Sequence, residues 1–167
     1  SVVHNGIIEN SDEIKKELES KGLKFKSQTD TEVITLLITE ALKENKPLDS
    51  VFKTLKRLKG SFALGIIFKN FSDTIIGARR GSPLAVGYAK EENYIGSDSY
   101  ALKSMTNKIS YLDDGELCVL TKDLVSFYNE KLKKINKKIY TMSENEDAID
   151  KGEYKHFMLK EIYEQPI

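Results

Sequence analysis

The sequence predicts an α+β fold in which helices pack on antiparallel sheet. Up to Gly60, apolar residues recur at the helical spacing of three and four positions. After Gly60 the period changes to two, and short segments rich in Ile, Val, Phe and Tyr are separated by turn residues. Helices grouped ahead of strands, instead of alternating with them, are typical of the α+β class.

Three helices are predicted before Gly60. Asn10 with Glu13, and Thr29 with Glu32, resemble capping boxes and mark the starts of the first two. The alternating triplet Leu23-Lys24-Phe25 suits a brief strand between them. The predicted helices span about 11–21, 30–44 and 48–59, and the last two should pack as an antiparallel pair because they are joined tightly.

The rest of the chain is predicted to form an antiparallel meander. Its turns are rich in Asn, Asp, Gly, Ser and Pro, as in Gly81-Ser82-Pro83 and Asp113-Asp114-Gly115. The lysine run Lys131–Lys138 is interpreted as a solvated edge, since lysine blunts aggregation at sheet edges and no aromatic platform for nucleic acid interleaves it. The predicted strands are 61–68, 74–79, 84–89, 93–96, 109–112, 116–121, 124–128 and a final edge hairpin at 134–140.

Composition and charge exclude several classes of protein. The 167 residues and 19.0 kDa fit one domain. Lys and Arg number 26, as do Asp and Glu, and a net charge of zero argues against nucleic acid or an anionic membrane as partner. No apolar stretch approaches the ~20 residues that span a bilayer, and no secretion signal is visible. The single cysteine predicts a reducing cytoplasm, and one cysteine with two histidines predicts no metal site. No cofactor is expected.

Five short strings in a fixed order are more specific than these patterns. They are His4-Asn5-Gly6-Ile7-Ile8-Glu9-Asn10, Thr29-Asp30-Thr31-Glu32, Arg80-Gly81-Ser82-Pro83-Leu84, Ser97-Asp98 with Ala101-Leu102, and Lys160-Glu161-Ile162-Tyr163-Glu164-Gln165-Pro166. Together they resemble the glutaminase domain of the glucosamine-6-phosphate synthase family, a branch of the class II, N-terminal-nucleophile amidotransferases. The resemblance runs from Ser1 to Ile167, and the closing string is similar to the sugar-phosphate branch in particular.

The resemblance implies a fold and an activity. The fold would be an N-terminal-nucleophile hydrolase-like αββα sandwich of antiparallel sheets, truncated at the N-terminus. Residues 1–142 would be a partial type 2 glutamine amidotransferase domain, and 143–167 an acidic tail and the start of a linker. The activity would be hydrolysis of glutamine to glutamate and ammonia, which serves the conversion of fructose-6-phosphate to glucosamine-6-phosphate. The implied partners are glutamine, an isomerase domain of the same chain and a second copy in a cytoplasmic homodimer.

Four residues near the N-terminus are the candidate site. By resemblance, the Asn5 side chain and the Gly6 N–H form an oxyanion hole, Asp30 binds the ammonium of glutamine, and His4 has a supporting role. Amide donors stabilise the oxyanion of a tetrahedral intermediate, and a carboxylate selects an amino acid over a plain amide. Apart from the resemblance, Asn5-Gly6 would be an ordinary turn and Asp30 a helix cap. Because one glutamine must reach all of them, Asp30 is predicted to face the same pocket as Asn5 and Gly6.

The family's nucleophile has no counterpart in the sequence. It is an N-terminal cysteine whose α-amino group acts as the base, and the arginine clamp for the glutamine carboxylate is missing too. Ser1 is interpreted as a boundary, Cys118 as a structural strand residue, and the Arg79-Arg80 pair as scaffold. We therefore expect the chain to be inactive by itself, with a sheet face exposed where the missing strands belong.

Two alternatives remain open from the sequence. The first is another class II amidotransferase, such as that of purine synthesis, which would be marked by a phosphoribosyl-transferase domain after the tail. The second is a non-catalytic binding module of the same fold. Titration with glutamine analogues followed by a glutaminase assay would separate a module from an enzyme.

Overall fold

The three predicted helices are confirmed, with small shifts at their ends. The computed structural model describes residues 1–142 and Tyr163, so the predicted tail and linker lie outside the described residues apart from Tyr163. Pro47 is the first residue of the third helix, a position where its missing N–H leaves no helical hydrogen bond unmade. The helices are α1 (Ser11–Ser20), α2 (Asp30–Ala41), α3 (Pro47–Arg57) and an additional short helix, α4 (Ser99–Leu102).

The strands of the described residues form two sheets, in which every pair is antiparallel. Sheet A has six strands in the order β1-β2-β3-β7-β8-β9, and sheet B has four in the order β10-β6-β4-β5. The strands are β1 (Val2–Ile8), β2 (Gly60–Phe68), β3 (Phe71–Arg80), β4 (Ala85–Ala89), β5 (Glu92–Gly96), β6 (Lys108–Tyr111), β7 (Leu117–Leu120), β8 (Val125–Tyr128), β9 (Lys134–Ile135) and β10 (Tyr140–Thr141).

The predicted antiparallel sheet is confirmed, but the simple meander is wrong. The chain leaves sheet A after β3, builds β4 to β6 in sheet B, and returns to sheet A at β7. Gly81-Ser82-Pro83 and Asp113-Asp114-Gly115 therefore lie where the chain crosses between sheets. The predicted hairpin at 134–140 also divides, since β9 belongs to sheet A and β10 to sheet B. A period of two shows which face of a strand is buried but not which sheet the strand joins.

The molecule has four layers, in the order helices α1–α3, sheet A, sheet B and α4. A hydrophobic core lies between each pair of neighbouring layers. The helix-side core lies between α1–α3 and sheet A and includes Ile14, Ile34, Val51 and Leu64. The inter-sheet core lies between the sheets and includes Ala63, Val86, Cys118 and Leu120. The third core lies on the outer face of sheet B, where Leu102 of α4 packs on Ala85 and Ile109 of the sheet. This layering agrees with the αββα sandwich that the resemblance implied. No helix in the described part of the chain is long and apolar enough to cross a membrane.

Two local predictions are wrong. Residues 23–25 form no strand, and the side chains of Leu23 and Phe25 pack against the helix-side core. Neither predicted capping box forms. Asn10 instead donates to Arg57 O at 2.9 Å and so ties the start of α1 to the end of α3. Glu32 instead accepts hydrogen bonds from the loop that precedes α2.

The strand β1, absent from the sequence-based prediction, forms one edge of sheet A. Its odd-numbered side chains point to the inter-sheet side, where Val3 and Ile7 are 75% and 68% exposed. They lie beyond β5, the strand at the edge of sheet B. A groove of about 400 Å³ runs between β1, β2 and β5. The expected uncovered sheet face is therefore present. The sequence of β1 gives no clear strand signal, because apolar residues lie on both of its faces and do not alternate with polar ones.

Candidate functional site

The outer edge of β1 carries the Asn5-Gly6 pair. Ser1 and Ile67 exchange backbone hydrogen bonds, and Glu9 N donates to Lys59 O, so odd-numbered positions bond towards β2. By the alternation of an antiparallel ladder, even-numbered positions, Gly6 among them, turn their backbone groups to the outer edge. Within residues 1–142, no strand pairs with this edge. The Gly6 N–H therefore faces a side of the strand that a ligand can approach.

Gly6 is required by the backbone of β1 itself. Its φ is +136°, a conformation that residues with a side chain rarely adopt. A Cβ on Gly6 would lie 2.1 Å from the carbonyl oxygen of Ser61 on β2. Any larger residue would push β1 away from β2 and displace the backbone donor. The glycine therefore fixes the geometry of this edge.

Asp30, the first residue of α2, brings a carboxylate to the same edge. Its Oδ2 accepts a hydrogen bond from Ile8 N at 2.9 Å, and its Oδ1 lies 3.5 Å from His4 Nδ1. Its position in the first turn also suits the positive end of the helix dipole. The Asp30 side chain is 27% exposed, and no lysine or arginine of the described residues forms an ion pair with it. The carboxylate thus keeps room for a cationic ligand.

The predicted site residues meet at one edge but not in one cavity. Asn5 points to the inter-sheet side of β1 and lines the groove beside β5, with Gly96 and Ser97 opposite. Asp30 and the buried imidazole of His4 lie on the helix side. The backbone of β1 separates the two groups. A shared pocket for Asp30, Asn5 and Gly6 stays a prediction, and a glutamine that satisfied it would have to lie across the outer edge of the strand.

Glu32 holds the loop ahead of Asp30, a function that sequence reasoning missed. Its carboxylate accepts hydrogen bonds from Lys26 N at 2.8 Å, Ser27 N at 2.7 Å and Ser27 Oγ at 2.6 Å. The Ser27 hydroxyl contributes most to holding the pKa of Glu32 below its ordinary value, and the Lys26 amide contributes next. Fixing this loop fixes the start of α2, and with it Asp30. The signal was present, because Glu32 closes the Thr29-Asp30-Thr31-Glu32 string.

The remaining candidates take structural places. Cys118 is fully buried in the inter-sheet core, and this burial raises the pKa of its thiol to about 12, so a reactive thiolate is disfavoured. Ser1 donates its terminal amine to Ile67 O at 2.9 Å and thereby continues the ladder. Arg79 bonds to Leu112 O, and Arg80 to the backbone carbonyls at the end of α3, as expected of scaffold.

Comparison with known protein families matches residues 1–104 to the Glutamine amidotransferase domain. Among curated proteins, the chain is 46% identical to the glutamine–fructose-6-phosphate aminotransferase [isomerizing] of Zymomonas mobilis, covering 100% of this chain and 28% of that protein. It is 47% identical to the enzyme of the same name from Aquifex aeolicus, covering 99% of this chain and 28% of that one. The chain thus spans little more than a quarter of these relatives' length.

Two solved structures are similar in fold. A glutamine phosphoribosylpyrophosphate amidotransferase from B. subtilis superimposes with a TM-score of 0.67 at 25% identity, covering 80% of this chain and 29% of that one. A glutamine aminotransferase class-II domain protein from Silicibacter pomeroyi gives a TM-score of 0.58 at 16% identity, covering 77% of this chain and 66% of its own. The second likeness concerns the fold alone.

Proposed function

Since the chain belongs to the glutamine amidotransferase family, we propose that it acts as the glutaminase half of a glutamine–fructose-6-phosphate aminotransferase. In this proposal it hydrolyses glutamine to glutamate and ammonia. The observation that carries the proposal is the placement of the Asp30 carboxylate against β1, two residues from Gly6, by its hydrogen bond to Ile8 N. That placement supports a site where one end of an amino acid meets a carboxylate and the other end meets amide donors.

The oxyanion donors are Asn5 and Gly6. Attack on the side-chain amide of glutamine turns its carbonyl oxygen into an oxyanion, which the Asn5 amide and the Gly6 N–H would hold. Each such donor is worth about 3 kcal/mol in the transition state. Asp30 binds the α-ammonium through a charge-assisted contact, which distinguishes glutamine from amides that lack this group.

The nucleophile of the proposal is the family's cysteine, which is not among these 167 residues. Cys118 is unsuitable because its thiol is buried with a raised pKa. Ser1 is unsuitable because its amine, which would have to act as the base, donates to Ile67 O instead. The described residues therefore supply charge stabilisation and substrate orientation, and the attacking atom comes from elsewhere.

The wider assignment rests on the relatives. Their greater length supports a further domain that would use the ammonia to convert fructose-6-phosphate to glucosamine-6-phosphate for amino-sugar synthesis. A homodimer in the cytoplasm completes the proposal. The fold also supports a second candidate, an amidotransferase of the phosphoribosylpyrophosphate type. We place it second because identity to that protein is 25%, against 46–47% to the aminotransferases.

Ammonia release from glutamine tests the proposal. The 167-residue chain alone should release none above background, because removing the nucleophilic machinery of a comparable hydrolase leaves only about 10³- to 10⁴-fold acceleration over water. The same residues joined to a cysteine-led N-terminal segment of the Zymomonas mobilis relative should release ammonia, and replacing that cysteine with alanine should abolish it.

Two outcomes would contradict this. A joined protein that binds glutamine without releasing ammonia would be a binding module. Ammonia release by the bare chain that Ser1→Ala abolishes would make Ser1 the nucleophile.

A further inference from the structure

The imidazole of His4 is held by one of its two nitrogens. His4 lies on β1 with its side chain only 3% exposed, on the helix side of the strand. Its Nδ1 lies 3.2 Å from Thr31 Oγ1 and 3.5 Å from Asp30 Oδ1. Its Nε2 is buried and has no hydrogen-bond partner within the part of the chain that the structure describes. The polar contacts of the ring are thus directed at the first turn of α2.

The Asp30 carboxylate is fixed from two sides. The amide of Ile8 donates to Oδ2, while Oδ1 faces His4 Nδ1 and, at 3.5 Å, the hydroxyl of Thr31. An aspartate carboxylate otherwise rotates over a broad range about its last torsion angle. Contacts to both oxygens restrict that rotation. They leave the carboxylate partly exposed at the edge of β1, where a ligand can reach it.

We infer that His4 is a positioning residue for recognition of the substrate ammonium. It acts through Asp30, by holding the plane of the carboxylate towards the outer edge of β1, and it touches neither the amide nor the oxyanion. The inference rests on the proposed function, in which Asp30 binds the α-ammonium of glutamine. A histidine that merely packed would affect all substrates alike, whereas a histidine that orients Asp30 affects only substrates that carry the ammonium.

Two substrates separate these roles. One is glutamine, and the other is 5-amino-5-oxopentanoate, which is glutamine without its α-amino group. Both are assayed for ammonia release with the 167 residues joined to the cysteine-led segment. His4→Leu keeps most of the volume but removes both ring nitrogens. It should raise KM for glutamine about three- to tenfold, the range for losing one hydrogen bond, while kcat and the kinetics of the second substrate stay nearly constant.

Side-chain amides test which nitrogen matters. In His4→Asn the amide takes the place of Nδ1, so this variant should recover most of the lost affinity. In His4→Gln the amide reaches the position of Nε2, so it should behave like His4→Leu. Val2→Ala is the matched control, because Val2 lies on the same face of β1 and packs against the helix-side core. Its KM for glutamine should match that of the parent protein, even if it melts at a lower temperature.

The outcomes are distinguishable. The inference is overturned if His4→Leu changes the kinetics of both substrates equally, or changes neither. If His4→Leu does not fold, equal KM values for glutamine in His4→Asn and His4→Gln overturn it. If instead Asp30→Asn leaves the preference for glutamine over 5-amino-5-oxopentanoate intact, the assignment of Asp30 fails, and with it the premise. If Asp30→Asn removes that preference and His4→Gln and His4→Leu reduce it selectively, the inference holds.

Discussion

Two carboxylate sites in this molecule differ in the groups that contact them. Asp30, at the edge of β1, is held by an amide and an imidazole, and no lysine or arginine of the described residues pairs with it. Glu116 and Asp113, at the crossing from β6 to β7, share the ammonium of Lys137 at 2.7 and 2.6 Å. We name the second group the crossing cluster.

The crossing cluster joins two parts of the chain. Lys137 lies on the crossing from β9 to β10, so its ion pairs join the two places where the chain passes between the sheets. Burial alone would lower the pKa of Lys137, but hydrogen bonds to Asp113 and Glu116 raise it above its ordinary value. The protein itself balances these charges. At Asp30 no lysine or arginine of the described residues supplies a counter-charge, and the side chain is 27% exposed, so a cationic ligand has access to it.

The largest expected effect is on stability, at the crossing cluster. Lys137→Met would leave the Glu116 carboxylate, whose side chain is 11% exposed, without its cation. Removing one partner of a buried pair costs about 3 kcal/mol in the free energy of unfolding. Chemical denaturation of the 167-residue chain measures this loss. Lys138→Met is the control, since Lys138 is exposed beside the ring of Tyr140, and it should cost less than about 1 kcal/mol. Equal losses of unfolding free energy in both variants would show that the ion pairs of the crossing cluster add no more stability than an exposed lysine does.

The next effect is on substrate binding, at Asp30. Asp30→Asn keeps an oxygen to accept from Ile8 N but removes the charge, so stability should change by less than about 1 kcal/mol. In the protein joined to the cysteine-led segment, KM for glutamine should rise about 10- to 100-fold, as expected for loss of a charged hydrogen bond. Asp113→Asn is the matched control and should leave KM unchanged. A similar rise in KM in both variants would remove the contrast between Asp30 and the crossing cluster.

Much of the fold could be predicted from periodicity, because helical and strand spacing are local properties. The helices α1 to α3 and most strands lie where the sequence placed them. The assignment of strands to two sheets could not be predicted this way, since it depends on where the chain crosses. Lys137 is an example: its lysine-rich sequence context predicts a solvated edge, yet its side chain is 13% exposed and bonded to two carboxylates. Its partners lie more than twenty positions away.

The candidate site is predicted from motifs and not from periodicity. Asn5-Gly6 reads locally as a turn and Asp30 as a helix cap, and only the order of strings along the chain indicated a common function. The structure adds what no string contains, namely the bond from Ile8 N to Asp30 and the burial of His4. The bond from Ile8 N and the contacts of the buried His4 ring reach residues more than twenty positions away. Both features depend on how α2 packs on β1.

The smallest effect is the pH dependence of Asp113. The hydrogen bond from Lys137, more than any other contact, holds the pKa of Asp113 below its ordinary value. A carboxyl group whose pKa is lower in the folded state contributes stability above its unfolded pKa, near 3.9, and loses that contribution as the pH falls through its folded pKa. The Asp113 side chain is 79% exposed, so solvent screening limits the contribution to a few tenths of a kcal/mol.

The difference in free energy of unfolding between the parent chain and Asp113→Asn should therefore be present at pH 6 and vanish towards pH 2. Added salt should shrink the difference at pH 6, because exposed pairs are screened. A difference that stays constant from pH 6 to pH 2 would mean that Asp113 acts through its shape and not through its charge, and Glu116 alone would then balance Lys137.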